Sequence, residues 1–470
     1  MTPPASTICC SGCGYTAGPA DPYPFRCPRA GTDDADHVLT RVLDPTAVRF
    51  PGAPASAPAA ANHSSDTTGT NPFLRYRTLM HSYHAAAARG LPDAAYRDLV
   101  VTLDASVAAV DGRGFRVTPF SRSPELSAAL GFSAGGGVWV KDETGNVSGS
   151  HKGRHLMGVL IHLAVMERLG LLDPACRPAL AIASCGNAAL AAAVVARAGG
   201  WRLTVFVPPE AGAGLVGRLR DLRATVVVCS REPGALGDPA YLALRQELDH
   251  GALPFTTQGP ENGLAIEGGQ TLGYELVTDL GHGRLDHLIV QVGGGALASA
   301  TIQALREAAE LSAITRLPRI HTVQTAGAHP LERAYRRVQA LLPGRLTPSA
   351  IHQAMADAAR HRSGFMQPWA QEPKSVAAGI LDDETYDWRA VVEGMLLTGG
   401  RPLVVSEDSL VQANRLAVAR TGIPVDPTGS SGLAGLVELR RSGEIRDRDR
   451  VAVLFTGRQR ELVSLPGGTP

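Results

Sequence analysis

The sequence predicts an α/β protein built on a mainly parallel sheet and preceded by a small cysteine-bearing cap. Three observations carry that expectation. Short apolar runs recur from Asn71 to near the end of the chain, each closed by a Gly, Ser or Thr turn. Alanine-rich stretches of helical composition separate them. Runs apolar on consecutive residues suit strands covered on both faces, the usual state of a parallel sheet. The third observation is the contrast with the first 27 residues, which hold four of the seven cysteines.

At 470 residues the chain exceeds one ordinary core. Hydrophobic residues make up 44% and aromatics 5%, so its cores must be built from small aliphatic side chains. Lys+Arg is 45 against 44 Asp+Glu, a net charge of +1, which argues against a dedicated nucleic-acid binder. No run of about 18 apolar residues is present, so no membrane helix is expected. Met1 to Ser6 carry neither a charged nor an apolar leader region. A soluble cytoplasmic protein is the expectation. The seven cysteines are an odd set and do not read as a disulfide framework.

The elements follow in order. Residues 1–44 form the cap, with Cys10-x2-Cys13 and then Cys27-Pro28. A complete zinc ribbon would repeat the Cys-x2-Cys, but position 30 is Ala. Cys10, Cys13 and Cys27 are the candidate metal ligands, with Cys9, Asp33 or His37 open as a fourth; a metal-free cap is the alternative. Residues 45–72 are rich in Pro, Ala and Ser and read as a linker or extended arm. In the body, 73–470, strands are expected at Val138–Val140, Leu180–Ala183, Leu203–Val207, Thr225–Cys229, Leu288–Val292, Ile320–Gln324 and Val451–Phe455. Ligands of open α/β sheets gather off the carboxyl ends of such strands.

Four of the loops after these runs carry unusual chemistry. The first, KDETGNVSGSHKGR, ends with Lys152 at the head of the apolar stretch Leu156–Val165. A lysine at a helix N-terminus sits against the positive end of the dipole, which disfavours its charged form and suits a neutral nucleophile. Only Lys141, Lys152 and Lys374 offer a primary amine; the other 42 basic residues are arginine. The second loop is Ser184-Cys185-Gly186-Asn187, before the helix Ala188–Ala198, a cradle for a carboxylate or phosphate or simply a helix capped by Asn187. The third is Gly293-Gly294-Gly295-Ala296, where the backbone can approach an anion closely; tight helix–sheet packing is the alternative. It is neither a P-loop nor a dinucleotide fingerprint, so a phosphate without a nucleotide fits better. The fourth ends in Thr456, whose hydroxyl can pair with a neutral heteroaromatic nitrogen. An amine, two anion cradles and a partner for a ring nitrogen together describe a site for pyridoxal 5′-phosphate.

In that order the motifs resemble the fold-type II pyridoxal-phosphate enzymes, the group containing threonine synthase, serine/threonine dehydratases, cysteine synthase and the tryptophan synthase β subunit. The matching segments are GSHK with Lys152, SCGN, EGGQTLGYE at 267–275, GGGAL at 293–297, DPTGSSGLAGL at 426–436, and FTGR with Thr456. The cap, VKDE at 140–143 and LLTGGRPLVVSEDS at 396–409 are most similar to the threonine synthase subfamily. The resemblance spans roughly residues 8–44 and 73–460. It implies two parallel-sheet α/β lobes, the smaller at roughly 178–260, with the cofactor between them, and a homodimer. It implies that Lys152 forms the Schiff base and moves the substrate's α-proton, and that Asn187 bonds the cofactor's 3′-oxygen. Ser184, Cys185 and Gly186 would hold the substrate carboxylate, Gly293, Gly294, Gly295 and Ala296 the phosphate, and Thr456 the pyridine nitrogen. His151 would touch the phosphate.

Two positions depart from the subfamily's pattern. Threonine synthases usually read GSFKDR where this chain has GSHKGR, so the substrate-side pocket is expected to differ. SSGN is SCGN here, and Cys185 reads as a small residue because no activating base accompanies it. A hydroxyl rather than a carboxylate at the ring nitrogen suits β- or γ-elimination and replacement better than transamination. The expected activity is a threonine-synthase-like lyase on a hydroxy- or O-phospho-amino acid. A β-replacement synthase for a specialised amino acid, or a serine/threonine ammonia-lyase, is the alternative. A degenerate scaffold is the non-enzyme reading, and it is at odds with the presence of both Lys152 and Thr456.

Overall fold

Each of the seven apolar runs named above forms a strand. The computed structural model describes residues 5–52, 70–231, 238–281, 283–342, 344, 346–370 and 373–460. In chain order the strands are β1 (Ser6–Cys10), β2 (Leu39–Leu43), β3 (Phe120–Ser123), β4 (Gly137–Asp142), β5 (Leu180–Ala183) and β6 (Leu203–Val207). They continue with β7 (Thr225–Val228), β8 (Leu253–Pro254), β9 (His287–Gln291), β10 (Arg319–Thr325), β11 (Pro402–Val405) and β12 (Arg450–Phe455).

They form a six-stranded sheet in the order β11-β10-β9-β12-β4-β3 and a four-stranded sheet in the order β7-β6-β5-β8. All pairings in the two sheets are parallel except the edge pair β3–β4. The continuous apolar character of β9 and β12 has its cause here. Both lie inside the larger sheet, and every residue from His287 to Gln291 and from Val451 to Phe455 is buried. The architecture is the expected α/β one. β3 was not among the predicted strands, because FSRS is polar and sits on the sheet's edge.

The cap is the antiparallel pair β1–β2 with a long loop between its strands. Ile8, Cys10, Phe25 and Leu39 join the same apolar core as Leu160, Val194 and Val205, so the cap shares its interior with the smaller sheet. Of the Pro/Ala/Ser-rich segment 45–72, residues 53–69 lie outside those described. Its near end is anchored, with Val48 and Phe50 buried against Tyr76 and Tyr274.

Helix Leu264–Leu280 packs between helices Lys152–Arg168 and Ala296–Glu310. The EGGQT motif is what permits the first contact, since a Cβ on Gly158 would meet the Gly268 Cα at 2.8 Å. Two helices therefore touch backbone to backbone at the base of the lysine turn. A buried ion network locks the same junction. Lys141 Nζ lies 2.6 Å from Glu275 Oε2, and Arg154 reaches Glu275 Oε1 at 2.6 Å and Glu143 Oε2 at 2.8 Å. Burial alone would raise the Glu143 carboxyl, but the Arg154 guanidinium overrides it and holds the group down at about 2.

Candidate active site

The turn after β4 is held in an uncommon conformation before it delivers its lysine. Ser148 has φ 57° and ψ 15°, its amide donates to Asp111 Oδ2 at 2.9 Å, and its carbonyl accepts from Arg460. Both the amide and Nδ1 of His151 donate to the Thr456 carbonyl, at 3.1 and 3.2 Å, and Ser150 pairs with Gly457. The lysine turn is thus stitched to the carboxyl end of β12.

Lys152 opens its helix with no side chain capping the first amides. Its Nζ donates to Thr257 Oγ1 at 3.3 Å. Burial pushes the lysine pKa down, while Asp382 and Asp387 pull the other way. Of the other two amines, Lys141 is buried in the ion network and Lys374 is exposed. Lys152 is the amine set up to lose its proton.

His151 is pushed down to about 3 by burial, so it is neutral, and a carbonyl partner puts the proton on Nδ1. Its Nε2 is then a bare acceptor, buried and without a partner, as is the neighbouring Ser150 Oγ. In this tautomer His151 accepts a proton-bearing group and has no proton to offer a phosphate oxygen from Nε2.

Thr456 is buried, and its Oγ1 accepts from Gln291 Nε2 at 2.9 Å. The same amide donates to the carbonyls of Gly429 (2.7 Å) and Leu454 (3.1 Å). With that lone pair occupied, the hydroxyl proton of Thr456 is available to an acceptor. Asn187 is similarly set. Its Oδ1 accepts from Arg460, its Nδ2 bonds the Asp426 carboxylate, and one N–H is left over. Asp426 also caps helix Pro427–Arg441 through Gly429 N at 2.5 Å, with Pro427 at its first position.

Asn187 does not cap the helix it begins. The cap position is Gly186, no side chain fills it, and Gly186 N donates to Ser184 Oγ at 3.3 Å. The first amides of that helix are therefore left for another acceptor, as a carboxylate cradle requires. Cys185 opens to solvent in this turn; crowding by the cleft and the charges of Asp238 and Asp382 push its thiol up, away from a reactive thiolate.

The glycine loop after β9 serves close packing as well as any anion. Gly295 has φ 98°, and a Cβ on Gly293 would meet the Ile380 Cα at 2.8 Å and the Asp382 carboxylate. Segment 380–387 lies on the loop, with Thr385 Oγ1 donating to Gly293 O at 2.9 Å and Asp387 N to Gly294 O at 3.0 Å. The Asp382 carboxylate accepts from the Gly294 amide, so the loop already holds an oxyanion. Burial lifts Asp382 to about 6 against the pull of Lys152, and lifts Asp387 to about 8. A separate cavity of about 330 Å³ between cap and body, lined by His37, Asp238, Tyr241, Glu261 and Tyr386 among others, includes none of Lys152, Asn187 or Thr456.

Residues 113–457, well over half of the chain, match the family described as "Pyridoxal-phosphate dependent enzyme". The chain belongs to that family. It is 24% identical over 340 residues to a threonine synthase of Methanocaldococcus jannaschii, covering 72% of this chain and 74% of the relative. It is 25% identical over 367 residues to a threonine synthase of Mycobacterium tuberculosis, covering 77% and 86%. Among solved structures, the processed form of threonine deaminase isoform 2 from Solanum lycopersicum superposes with TM-score 0.55 at 17% identity, covering 79% of this chain and 91% of that one. This last likeness concerns the fold.

The chain's residues fit a pyridoxal-phosphate group. A desolvated lysine, a threonine hydroxyl with a free proton, an asparagine N–H to spare, an oxyanion-binding glycine loop and orphaned polar atoms on Ser150 and His151 are what such a group would engage. Sequence reading passed over Gln291, Arg460, Thr257, Asp382 and Asp387. Gln291 had a signal, as the one amide in the apolar run LIVQV. The others stand in ordinary polar loops and gave none.

Proposed function

We propose that the chain is a threonine-synthase-like lyase that eliminates or replaces a group at the β- or γ-carbon of an amino acid. The observation that carries this reading is the Gln291–Thr456 pair, a neutral hydroxyl with its proton presented at the end of β12 beside the lysine turn. Bound pyridoxal phosphate supplies an electron sink for the pair left on the substrate's α-carbon. Lys152 is the residue that would hold the cofactor's aldehyde carbon, and, once the substrate amine has displaced it, its desolvated Nζ would take and return the α-proton. Thr456 would give a hydrogen bond to the ring nitrogen without protonating it. Asn187 would give its spare N–H to the 3′-oxygen, and the amides of Gly293 to Ala296 would take the phosphate in place of the Asp382 carboxylate. Ser184, Cys185 and Gly186, with the open helix start behind them, take the substrate carboxylate. Homology to threonine synthases supports the reaction class.

A second reading concerns the leaving group. Of the two carboxyls acting on Lys152, Asp382 is the one ionised at neutral pH, because Asp387 is lifted to about 8. The Asp382 charge disfavours a phosphoryl group there and favours a neutral hydroxyl, hence ammonia-lyase or β-replacement chemistry on serine or threonine. Incubation of the cofactor-loaded enzyme with O-phosphohomoserine, serine and threonine, scored for phosphate and keto acid, separates the two. Phosphate release identifies a γ-phosphate substrate, keto acid identifies β-elimination, and product only on addition of a nucleophile identifies replacement. Silence in all arms overturns the lyase reading. Homodimeric assembly and a cytoplasmic location belong to the same reading, on the strength of the family resemblance; light scattering and cell fractionation test them. No described helix is long and apolar enough to cross a membrane.

A further inference from the structure

The loop between β1 and β2 gathers four potential metal ligands that are 27 residues apart at the extremes of the sequence. The Sγ atoms of Cys10, Cys13 and Cys27 and a ring nitrogen of His37 all lie within 4.8 Å of one another. Cys13 Sγ is 3.7 Å from Cys27 Sγ, and Cys10 Sγ is 3.5 Å from His37 Nδ1. The sulfur–sulfur separation is too long for a disulfide. The two distances match the edges of a tetrahedron around zinc, about 3.7 Å between sulfurs and about 3.5 Å between sulfur and nitrogen for bonds of about 2.3 and 2.0 Å.

The structure also decides among the three possible fourth ligands. Side chains alternate along β1, so Cys10 points inward while Cys9 points out and contacts Thr16 Oγ1 at 3.4 Å. Asp33 is not a ligand but a support. Its Oδ1 lies 2.9 Å from His37 Nε2, which places the imidazole proton on Nε2 and turns Nδ1 to the sulfurs. His37, Cys10 and Cys27 are buried, and Asp33 is half exposed at the rim.

We infer that Cys10, Cys13, Cys27 and His37 bind one Zn²⁺ in a closed, structural site, with Asp33 orienting His37. Binding forms three Zn–S bonds and one Zn–N bond, and the protons still on the three thiols leave to solvent. The metal ties down a loop that the catalytic body uses. Phe25 O accepts from Gly263 N at 2.9 Å, Asp36 N donates to Ala359 O at 2.8 Å, and Asp36 Oδ1 accepts from Trp388 Nε1 at 3.3 Å. Trp388 follows Asp387, whose amide bonds the glycine loop.

The test is metal analysis of the purified full-length chain, together with the visible spectrum after reconstitution with Co²⁺. The expected result is one zinc per chain and a cobalt form with thiolate charge-transfer bands and intense tetrahedral d–d bands. Cys9→Ser keeps the metal, His37→Ala changes or abolishes the cobalt spectrum, and Asp33→Asn weakens zinc affinity by about 10- to 100-fold. If Cys27→Ser fails to fold, the cobalt spectrum of the unaltered chain still decides the ligand set. No metal taken up by the reduced chain, a weak octahedral cobalt spectrum, or a spectrum unchanged in His37→Ala overturns the proposal.

Discussion

At the scale of single residues, the site works by controlling where protons sit. Burial pushes the Lys152 pKa down, and Thr456, accepting from Gln291, keeps its own proton to offer. Lys152→Ala should abolish the phosphopyridoxyl adduct formed by borohydride reduction and lower turnover by about 10²- to 10⁴-fold. Peptide mapping decides it, and an adduct at Lys374 instead would remove Lys152 from its role. Gln291→Leu removes a side-chain donor from the buried Gly429 and Leu454 carbonyls and should cost about 1–3 kcal/mol of stability. Cofactor affinity should fall as well, and urea melts with cofactor titrations measure both losses. Asp382 supplies a pH effect. Its carboxyl, lifted to about 6 by burial, is ionised above that pH and then opposes a phosphate on the Gly294 amide. The gain in cofactor affinity from Asp382→Asn should therefore grow as pH rises through about 6; an equal gain at pH 5 and pH 8 would sink this account.

At the scale of elements, the lysine turn is only as well placed as the helices behind it. The Arg154 pairs with Glu143 and Glu275 sit at the crossing of helices Lys152–Arg168 and Leu264–Leu280, with side chains at most 1% exposed. Removing the arginine leaves the buried Glu143 without its ion-pair partner and Glu275 with Lys141 alone. Arg154→Ala should cost about 3–5 kcal/mol, read by chemical denaturation. The sign of its pH dependence follows from Glu143, whose carboxyl is held at about 2 against an ordinary 4.5. Its stabilisation is complete above 4.5 and fades as pH falls toward 2. In Arg154→Ala that part of the acid transition should disappear. Elements also bear on two loops for which the sequence left alternatives open. The helix after SCGN is left open by Gly186 instead of being capped by Asn187, and the three glycines accommodate segment 380–387 as well as an anion.

At the scale of the whole molecule, the cap is a wall of the catalytic body. Its loop is bonded to residues 263, 359 and 388, which lie far apart in sequence and close around the site's supports. Chelation of the metal should therefore lower the thermal midpoint of the entire chain in one cooperative step. A separate early transition with the main midpoint unmoved would show that the cap is a passenger.

Much of this was legible in the sequence. Seven of the ten strands of the two sheets were readable as short apolar runs, a purely local signal, while β3, β8 and β11, all at sheet edges, were not. Lys152, Asn187 and Thr456 stood out as candidates because each lies in, or at the far end of, the loop after such a run, on the side where α/β sheets place ligands. What the sequence did not carry was convergence. Gln291 meets Thr456 across 165 positions, Asp382 reaches the glycine loop across nearly ninety, and His37 rather than Cys9 turns toward Cys10. Local composition determines which segments become strands and helices, because apolar periodicity and turn residues act over a few positions. Which side chains share a proton, an anion or a metal is decided only by the packing of distant elements, where burial and ångström-scale contact set the chemistry.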